Sequence, residues 1–278
     1  MTIRLWFRMA LLMMGYSLAI SACSTQKETA QDSTFQVDYL VTGNFKILEV
    51  DKLGFIYLVN SRNEILKYDT DYKLLFRYSI RSLGDITSLN VSNPQKLFVY
   101  YGDYNQIVLL ENTLSEIKRL DLESLEIYNI SGMTVGRDNF IWLFDNANLR
   151  LLKINERGEI FLSSNEQDPT LRAFVDEMPD LYAYENQRFL SNGNLIAVYD
   201  EFGVHQKNIR LNSKQLQFAK NKVLFLQDQS IKSYNLQVDF LEDSNVSTVM
   251  NFQGTASSFH FNNSRLLLID ASGLRKVE

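Results

Sequence analysis

The chain has 278 residues, a net charge of −5 at pH 7, 45% hydrophobic residues and one cysteine. This composition is typical of a globular protein, and a single cysteine excludes a disulfide framework. The acidic balance argues against a nucleic-acid partner, because a phosphate backbone binds to a basic face.

The first 22 residues have the order of a secretory signal. Arg4 and Arg8 precede an apolar run, Met9–Ile20, which ends in Ser21-Ala22 just before Cys23. The run is shorter than a typical membrane-spanning helix. This arrangement resembles a bacterial lipoprotein signal, which implies cleavage before Cys23, lipidation of that residue and attachment to a membrane. Two alternatives remain: an ordinary secretory signal with a buried cysteine nearby, or an uncleaved N-terminal anchor.

A polar segment follows the signal. Residues 23–33 include Ser24–Ser33, which contains no large apolar residue, so it is predicted to be a flexible tether between the lipid and a domain at 34–278. Ser24 does not resemble an inner-membrane retention signal, which favours a lipid anchor in the outer membrane of the cell envelope.

From Phe35 onward, short apolar runs recur and predict an all-β domain. Six runs end in a turn former at the sixth position, and their first residues are 42, 43, 55, 28 and 42 positions apart. The runs are Phe55–Asn60, Leu97–Gly102, Phe140–Asp145, Leu195–Asp200, Val223–Asp228 and Arg265–Asp270.

Further strand patterns flank each run, so that a period of about 42 residues holds three or four antiparallel strands. This is the unit of a β-propeller blade, and six units predict a six-bladed β-propeller. The last unit lacks an outer strand, while Thr34–Val41 precedes the first unit without a blade of its own. We expect this N-terminal strand to complete the last blade and to close the ring.

One irregular segment, at about 165–184, is predicted to be a short helical insertion. Leu171, Phe174 and Met178 follow Asp168-Pro169 at helical spacing. The fifth run begins only 28 residues after the start of the fourth, which suggests that blade 4 has lost its outer strand. The helix either docks a partner or packs on the domain, and the candidate partner-binding residues are Leu171, Phe174, Met178, Tyr182 and Tyr184.

The run Asp51–Asn60 followed by Ile65-Leu-Lys-Tyr-Asp69 resembles the six-bladed propellers of the NHL and TolB-like group. Together with the signal, it resembles envelope lipoproteins of the Bacteroidota type. Related propellers serve in outer-membrane assemblies or bind ligands, but the likeness lies in turn and core positions and does not transfer a function.

Enzyme and metal signatures are absent from the sequence. No nucleophile elbow or phosphate loop occurs, and neither His205 nor His260 has metal-ligand spacing. We therefore expect no catalytic residues, no metal and no cofactor.

Recurring Asn and Asp residues at the strand ends are expected to satisfy turn amides. A calcium-dependent lactonase-like hydrolase is a remote alternative, because the inner-strand positions are expected to lack the Glu and Asn residues that such enzymes use.

The sequence thus predicts a lipid-anchored, non-catalytic interaction module of the envelope that binds a protein partner, as an accessory subunit of an outer-membrane assembly. The alternative is a sensor that binds a small molecule or a glycan in the central funnel. An exposed apolar patch at Leu171, Phe174 and Met178 would favour the protein partner. A deep funnel lined by aromatic and carboxylate side chains would favour the ligand.

Overall fold

Six four-stranded antiparallel sheets form a closed ring in the computed structural model of the protein. The structure describes residues 38–164, 168–175, 177–213, 215–237, 245–262 and 265–277. The signal, Cys23, the tether and the first part of the predicted N-terminal strand lie outside these ranges. The predicted all-β, six-bladed propeller is confirmed.

The strands follow one another around the ring from the inner edge of each blade to its outer edge. Blade 1 consists of β2 (Phe45–Val50), β3 (Ile56–Asn60), β4 (Glu64–Tyr68) and β5 (Leu74–Ser79). Blade 2 consists of β6 (Ile86–Asn93), β7 (Lys96–Tyr101), β8 (Gln106–Glu111) and β9 (Glu116–Asp121). Blade 3 consists of β10 (Ile130–Val135), β11 (Ile141–Asp145), β12 (Arg150–Ile154) and β13 (Ile160–Ser163). Blade 4 consists of β14 (Asp180–Tyr184), β15 (Gln187–Ser191), β16 (Leu195–Tyr199) and β17 (His205–Arg210). Blade 5 consists of β18 (Leu216–Ala219), β19 (Lys222–Gln227), β20 (Ser230–Asn235) and β21 (Val246–Asn251). Blade 6 joins β22 (Ser258–Asn262), β23 (Arg265–Ile269) and β24 (Gly273–Val277) to β1 (Tyr39–Thr42).

Burial changes from the middle of each blade to its rim. Every residue of β3 and β11 is buried, since both faces of these strands pack against neighbouring blades, and this explains their continuous apolar runs. The outer strand β5 is mostly exposed. The hydrophobic core is therefore a series of six clusters between sheets, such as the one that joins Tyr57 and Val59 of blade 1 to Leu97 and Val99 of blade 2.

Asx side chains cap the turns at the strand ends. Asn60 Oδ1 accepts hydrogen bonds from the amides of Arg62 and Glu64, both at 3.0 Å. Asp200 makes the same pair of bonds with the amides of Phe202 and Val204, both at 2.9 Å. The predicted structural role of these residues is confirmed at these positions.

The N-terminal strand closes the ring, as predicted. β1 pairs with β24 in antiparallel register, and the Tyr39 hydroxyl donates a 3.0 Å hydrogen bond to Asp270 Oδ2. Arg275, which is 3% exposed, places its Nε 3.3 Å from the same carboxylate oxygen and donates to the carbonyl of Gln253 at 2.7 Å. The two ends of the domain are thus joined by a strand pair and by the Tyr39–Asp270 hydrogen bond, and the buried Arg275 holds the Asp270 carboxylate from its own blade.

Blade 4 differs from the prediction. It keeps its outer strand, β17, so the expected loss is wrong. The run at Leu195 is the third strand of the blade, and the second strand is β15, where the buried Arg188 interrupts the apolar pattern. With this correction the second strands begin 40, 45, 46, 35 and 43 residues apart, and the large spacing anomaly disappears.

The predicted helix in the insertion is also wrong. Its described residues form a single 3-10 turn at Leu171–Phe174, and Val175 is already extended. Leu171 and Phe174 are fully buried against Trp142 and Phe144, so packing onto the blade stops the helix after one turn. Within the described ranges, no helix is long and apolar enough to cross a membrane.

Substitution of Gly273 by alanine is expected to open the closure. Gly273 has φ +157°, and a Cβ there would overlap the backbone carbonyl of Val41 on β1. Because this neighbour is backbone, it cannot rotate away, and we expect a loss of about 3 kcal/mol in the free energy of unfolding, measured by urea denaturation.

Gly254→Ala is the matched control for this variant. Gly254 also has a positive φ, +83°, but its Cβ would meet only the end of the Arg275 side chain, at 3.4 Å. We expect a loss of about 1 kcal/mol from backbone strain alone. Equal losses in the two variants would show that overlap with β1 is not the reason why an alanine at residue 273 is destabilising.

Candidate functional site

A central cavity of about 470 Å³ lies on the axis of the ring. Residues of all six inner strands line it, because each blade begins with the strand closest to the axis. The lining is a mixture of small hydroxyl, apolar, aromatic and carboxyl side chains. Its polar and aromatic members include Glu49, Thr87, Ser88, Asn90, Tyr100, Ser131, Thr134, Asp180, Tyr182, Tyr184, Gln215, Gln217, Phe218 and Ser258.

The wall between blades 3 and 4 depends on Gly132. A Cβ at this position would lie 3.0 Å from the carbonyl oxygen of Pro179 and 3.1 Å from Leu181 Cβ. The absence of a side chain therefore lets β10 and β14 approach closely and brings Asp180 and Tyr182 to the axis.

Two glutamines bridge the wall between blades 5 and 6. Gln217 accepts a hydrogen bond from the amide of Phe261 and donates one to its carbonyl, both at 2.8 Å. Gln215 accepts from the amide of Phe259 at 3.0 Å and donates to Ser258 Oγ at 2.5 Å. The side chains of Gln215 and Gln217 thus pair with the free edge of β22 as a further strand would.

Glu49 and Tyr182 line the cavity from blades 1 and 4, which are opposite in a ring of six. Burial raises the pKa of Tyr182, and the negative charges of Asp180 and Glu49 raise it further.

Glu49 is a carboxyl group without a partner. Among the described residues, nothing forms a hydrogen bond or an ion pair with it. The side chain keeps partial contact with the cavity, but protein surrounds it, and burial raises its pKa to about 8. At pH 7 it is therefore mainly protonated. Buried acids are normally paired, so an unpaired one in a cavity marks a candidate functional residue.

Asp180 lies at the start of β14 and is open to the cavity, but the surrounding protein raises its pKa to about 6. A hydrogen bond from the Tyr182 hydroxyl opposes this rise, and the amide of Leu216 in turn donates to that hydroxyl. At pH 7 Asp180 is mainly ionised. The two carboxyl groups of the cavity therefore differ in charge state because their environments differ.

Two buried hydroxyl oxygens of lining residues also lack partners. Ser88 Oγ and Ser131 Oγ, on the adjacent inner strands β6 and β10, form no hydrogen bond within the described part of the chain. An unsatisfied buried hydroxyl is costly, so these two atoms lower the stability of the inner strands.

The basic groups near the axis are already engaged or neutral. Lys46 Nζ lies 3.0 Å from Asp85 Oδ2 at the edge of the cavity. His260 lies on β22, the inner strand beside β2, and burial lowers its pKa to about 4, so that the imidazole is neutral at pH 7. The cavity is therefore acidic in character.

The structure separates the residues that the sequence grouped as a partner-binding patch. Leu171 and Phe174 are fully buried, so they pack on the domain and do not form an exposed apolar patch, whereas Met178 is 76% exposed. Tyr182 and Tyr184 are half-buried, line the cavity and pack on Phe218, with ring centroids 5.5 and 5.8 Å apart. Cys23 lies outside the described residues.

Glu49, Asp180 and Asn90 were not recognised as site residues from the sequence. Glu49 and Asn90 lie on inner strands and line the cavity. Asn90 Oδ1, however, already accepts from the amide and the hydroxyl of Ser92, at 3.1 and 2.6 Å. No three His, Cys, Asp or Glu side chains of the described ranges converge as a metal site would require.

Comparisons with known proteins define the fold. The sequence matches no protein-family profile and no curated protein. Structurally, it is similar to a catalytically inactive virginiamycin B lyase from Staphylococcus aureus with quinupristin, at 15% identity over 84% of this chain and 80% of that one, with a TM-score of 0.55. BamB from Moraxella catarrhalis is similar at 11% identity over 85% and 82% of the two chains, with a TM-score of 0.50. The extracellular domain of a hybrid two-component system from B. thetaiotaomicron matches at 10% identity over 84% of this chain and 33% of that one, with a TM-score of 0.53.

The lyases correct one prediction. The sequence led us to expect that the protein is not an enzyme, and this expectation is contradicted, because streptogramin B lyases are among the most similar structures. Absent motifs do not exclude catalysis when a cavity collects its residues from six blades. At these identities the comparisons show the propeller fold alone.

The pKa of Glu49 predicts a specific pH dependence of stability. Between about pH 5 and 8 the folded state retains a proton on Glu49 that the unfolded state has lost. The stability of the wild type relative to Glu49→Gln should therefore fall as the pH rises, by at most about 1.4 kcal/mol per pH unit, and level off above pH 8.

Urea denaturation at a series of pH values measures this difference. Glu123→Gln, the same change at an exposed position, should follow the wild type at every pH. A constant difference between the wild type and Glu49→Gln from pH 5 to 8 would contradict the raised pKa.

Proposed function

We propose that the protein is a lipid-anchored receptor of the cell envelope that binds a small polar molecule in the central cavity of its propeller. The observation that carries this proposal is the carboxyl group of Glu49, enclosed in the cavity without a hydrogen-bond partner or counter-charge in the described structure. A ligand would supply the missing partner.

The size and construction of the cavity support a small ligand. A volume of about 470 Å³ lies within the range of small-molecule sites. Its walls are β-strands held by neighbouring blades, which keeps the polar groups in place before binding and lowers the entropy cost of ordering them. The burial of Leu171 and Phe174 removes the patch that would have favoured a protein partner there.

The proposed anchor is the lipidated Cys23. The order of Arg4, Arg8, the apolar run and Ser21-Ala22 before this cysteine supports it, as does the polar tether that follows. Two or three acyl chains bind a membrane stably where one does not. We place the protein in the outer membrane of a Gram-negative bacterium, which agrees with Ser24 beside the anchor.

A protein partner is the second candidate. Phe161 and Phe202 are 61% and 65% exposed, and they lie on adjoining elements, because a Cβ at Gly203 would lie 3.3 Å from Leu162. Exposed aromatic side chains of this kind mark interaction surfaces. A stoichiometric envelope partner that is lost with Phe202→Asp but kept when the cavity is filled would favour this candidate.

Filling the cavity tests the receptor function. A library of water-soluble metabolites is screened against the wild type by saturation-transfer NMR, and the hits are repeated with the double variant Ser88→Met, Ser131→Met. Both residues line the cavity, and the longer side chains should fill part of it, so that the hits lose at least tenfold in affinity.

Ser61→Met, at an exposed turn, is the control and should bind as the wild type does. Thermal denaturation shows whether the double variant is folded. Hits that the folded double variant still binds with full affinity, or a library without hits, would refute the cavity as the binding site.

Substitution of Cys23 tests the anchor. Cys23→Ser should abolish incorporation of labelled palmitate and move the protein from the membrane fraction to the soluble fraction, because it removes the acylated thiol. Ser24→Ala should leave both unchanged. A Cys23→Ser protein that remains in the membrane fraction would support an uncleaved signal anchor instead.

A further inference from the structure

We infer that the cavity ligand carries an alkylammonium group, which pairs with the carboxyl groups of Glu49 and Asp180. This inference rests on the proposed function and names the chemical class of its ligand. It follows from the charge, the hydrogen-bonding groups and the apolar surface of the cavity.

The cavity presents acids without free bases. Glu49 and Asp180 are its carboxyl groups, while Lys46, its basic group, already pairs with Asp85 at 3.0 Å. An anionic ligand would therefore meet like charge, whereas a cation would be attracted from the cavity mouth.

Glu49 lacks the counter-charge that a buried carboxylate needs. A neutral polyol could hydrogen-bond with it but would leave its charge unpaired, so that the group would stay protonated. An ammonium group close to Glu49 would favour the carboxylate form and release the proton to solvent. Binding of a cation therefore has a signature that binding of a polyol lacks.

The donors of an ammonium match the acceptors of the cavity. An alkylammonium has three N–H donors and no acceptor. The carboxyl group of Glu49 is an acceptor without a present partner, and Asp180 supplies a second carboxyl group to the same cavity. An ammonium group bound in the cavity can donate to these carboxylates.

Apolar side chains complete the site. Leu89, Met133 and Leu181 line the cavity between the polar groups, on three successive inner strands. They suit a short methylene chain, which a sugar or an inorganic cation does not have.

Other titratable groups near Glu49 would not release a full proton when a cation binds. They are Lys46 on its own strand, Tyr57 opposite it on β3 with Asp51 bonded to the Tyr57 hydroxyl, Asp180 and Tyr182 on β14, and His260 on β22. The described residues of β6, β10 and β18 are uncharged. At pH 7 Asp180 is mainly ionised and His260 neutral, so neither releases a full proton when a cation binds.

Isothermal titration calorimetry with putrescine, butane-1,4-diol and glucose tests the chemical class of the ligand. Putrescine and the diol have the same carbon chain and differ in the ammonium groups. We expect putrescine to bind at least tenfold more tightly than either neutral probe. Titrations in phosphate and in Tris buffer at pH 7 should show release of close to one proton per putrescine, and the release should vanish at pH 9.

Two variants assign this signal. Glu49→Gln should weaken putrescine binding at least tenfold and abolish proton release, whereas Asp180→Asn should weaken binding but keep proton release. Glu123→Gln should change neither. The proton release is also measured on the wild type alone, so the test stands even if a cavity variant does not fold.

The outcomes separate the inference from the proposed function. Binding of the diol or of glucose in preference to putrescine, with loss in the Ser88→Met, Ser131→Met variant, would overturn the alkylammonium class and leave the cavity as the ligand site. Putrescine binding without proton release, or unaffected by Glu49→Gln, would also overturn it. Metabolite hits that are unaffected by filling the cavity would instead refute the proposed function.

Discussion

The pairing of β1 with β24 is the constraint on which the rest of the structure depends. Tyr39 and Asp270, which this pairing brings to hydrogen-bond distance, are 231 residues apart in the chain. Once they meet, blade 6 packs on blade 1 through Leu267, Ile269 and the residues of β2, and every sheet has a neighbour on both faces. Closure also converts six separate inner strands into the wall of one cavity. The geometry of the site is therefore a property of the whole ring, because no single blade contains it.

A closed ring of this kind can tolerate an unfavourable group at its centre. The unpaired carboxyl of Glu49 lowers stability above the pH at which the unfolded chain would ionise, and the orphan hydroxyls of Ser88 and Ser131 add to that cost. The cores between the blades, in which side chains such as Trp142, Phe98 and Tyr57 are fully buried, offset it. Strain and unsatisfied polar groups persist where the surrounding structure is stable enough to retain them, which is why they point to function.

The sequence predicted the fold well because its signals are local. Apolar runs, turn residues and a repeat of about 42 residues are visible along the chain, and they define blades and closure. The errors arose where packing overrides the local pattern. Arg188 lies in a buried second strand because its guanidinium stacks 4.6 Å from the ring of Trp142, a contact with another blade. Leu171 and Phe174 have helical spacing, but both side chains enter the core after a single turn. The carboxyl groups of the site were missed for a related reason: Glu49 and Asp180 come from opposite blades of the ring, and no motif spacing connects them.

Two different contacts between blades form the wall of the cavity, and they differ in how rigidly they hold it. Between blades 3 and 4, the bare backbone at Gly132 lies against Pro179 and Leu181, and such a contact fixes the position of Asp180 without offering any group to a ligand. Between blades 5 and 6, the amides of Gln215 and Gln217 bond to a strand edge that a ligand could also address. Because side-chain hydrogen bonds can exchange partners and backbone packing cannot, the contact between blades 3 and 4 holds Asp180 in place. The contact between blades 5 and 6 is the part of the wall whose hydrogen bonds can rearrange.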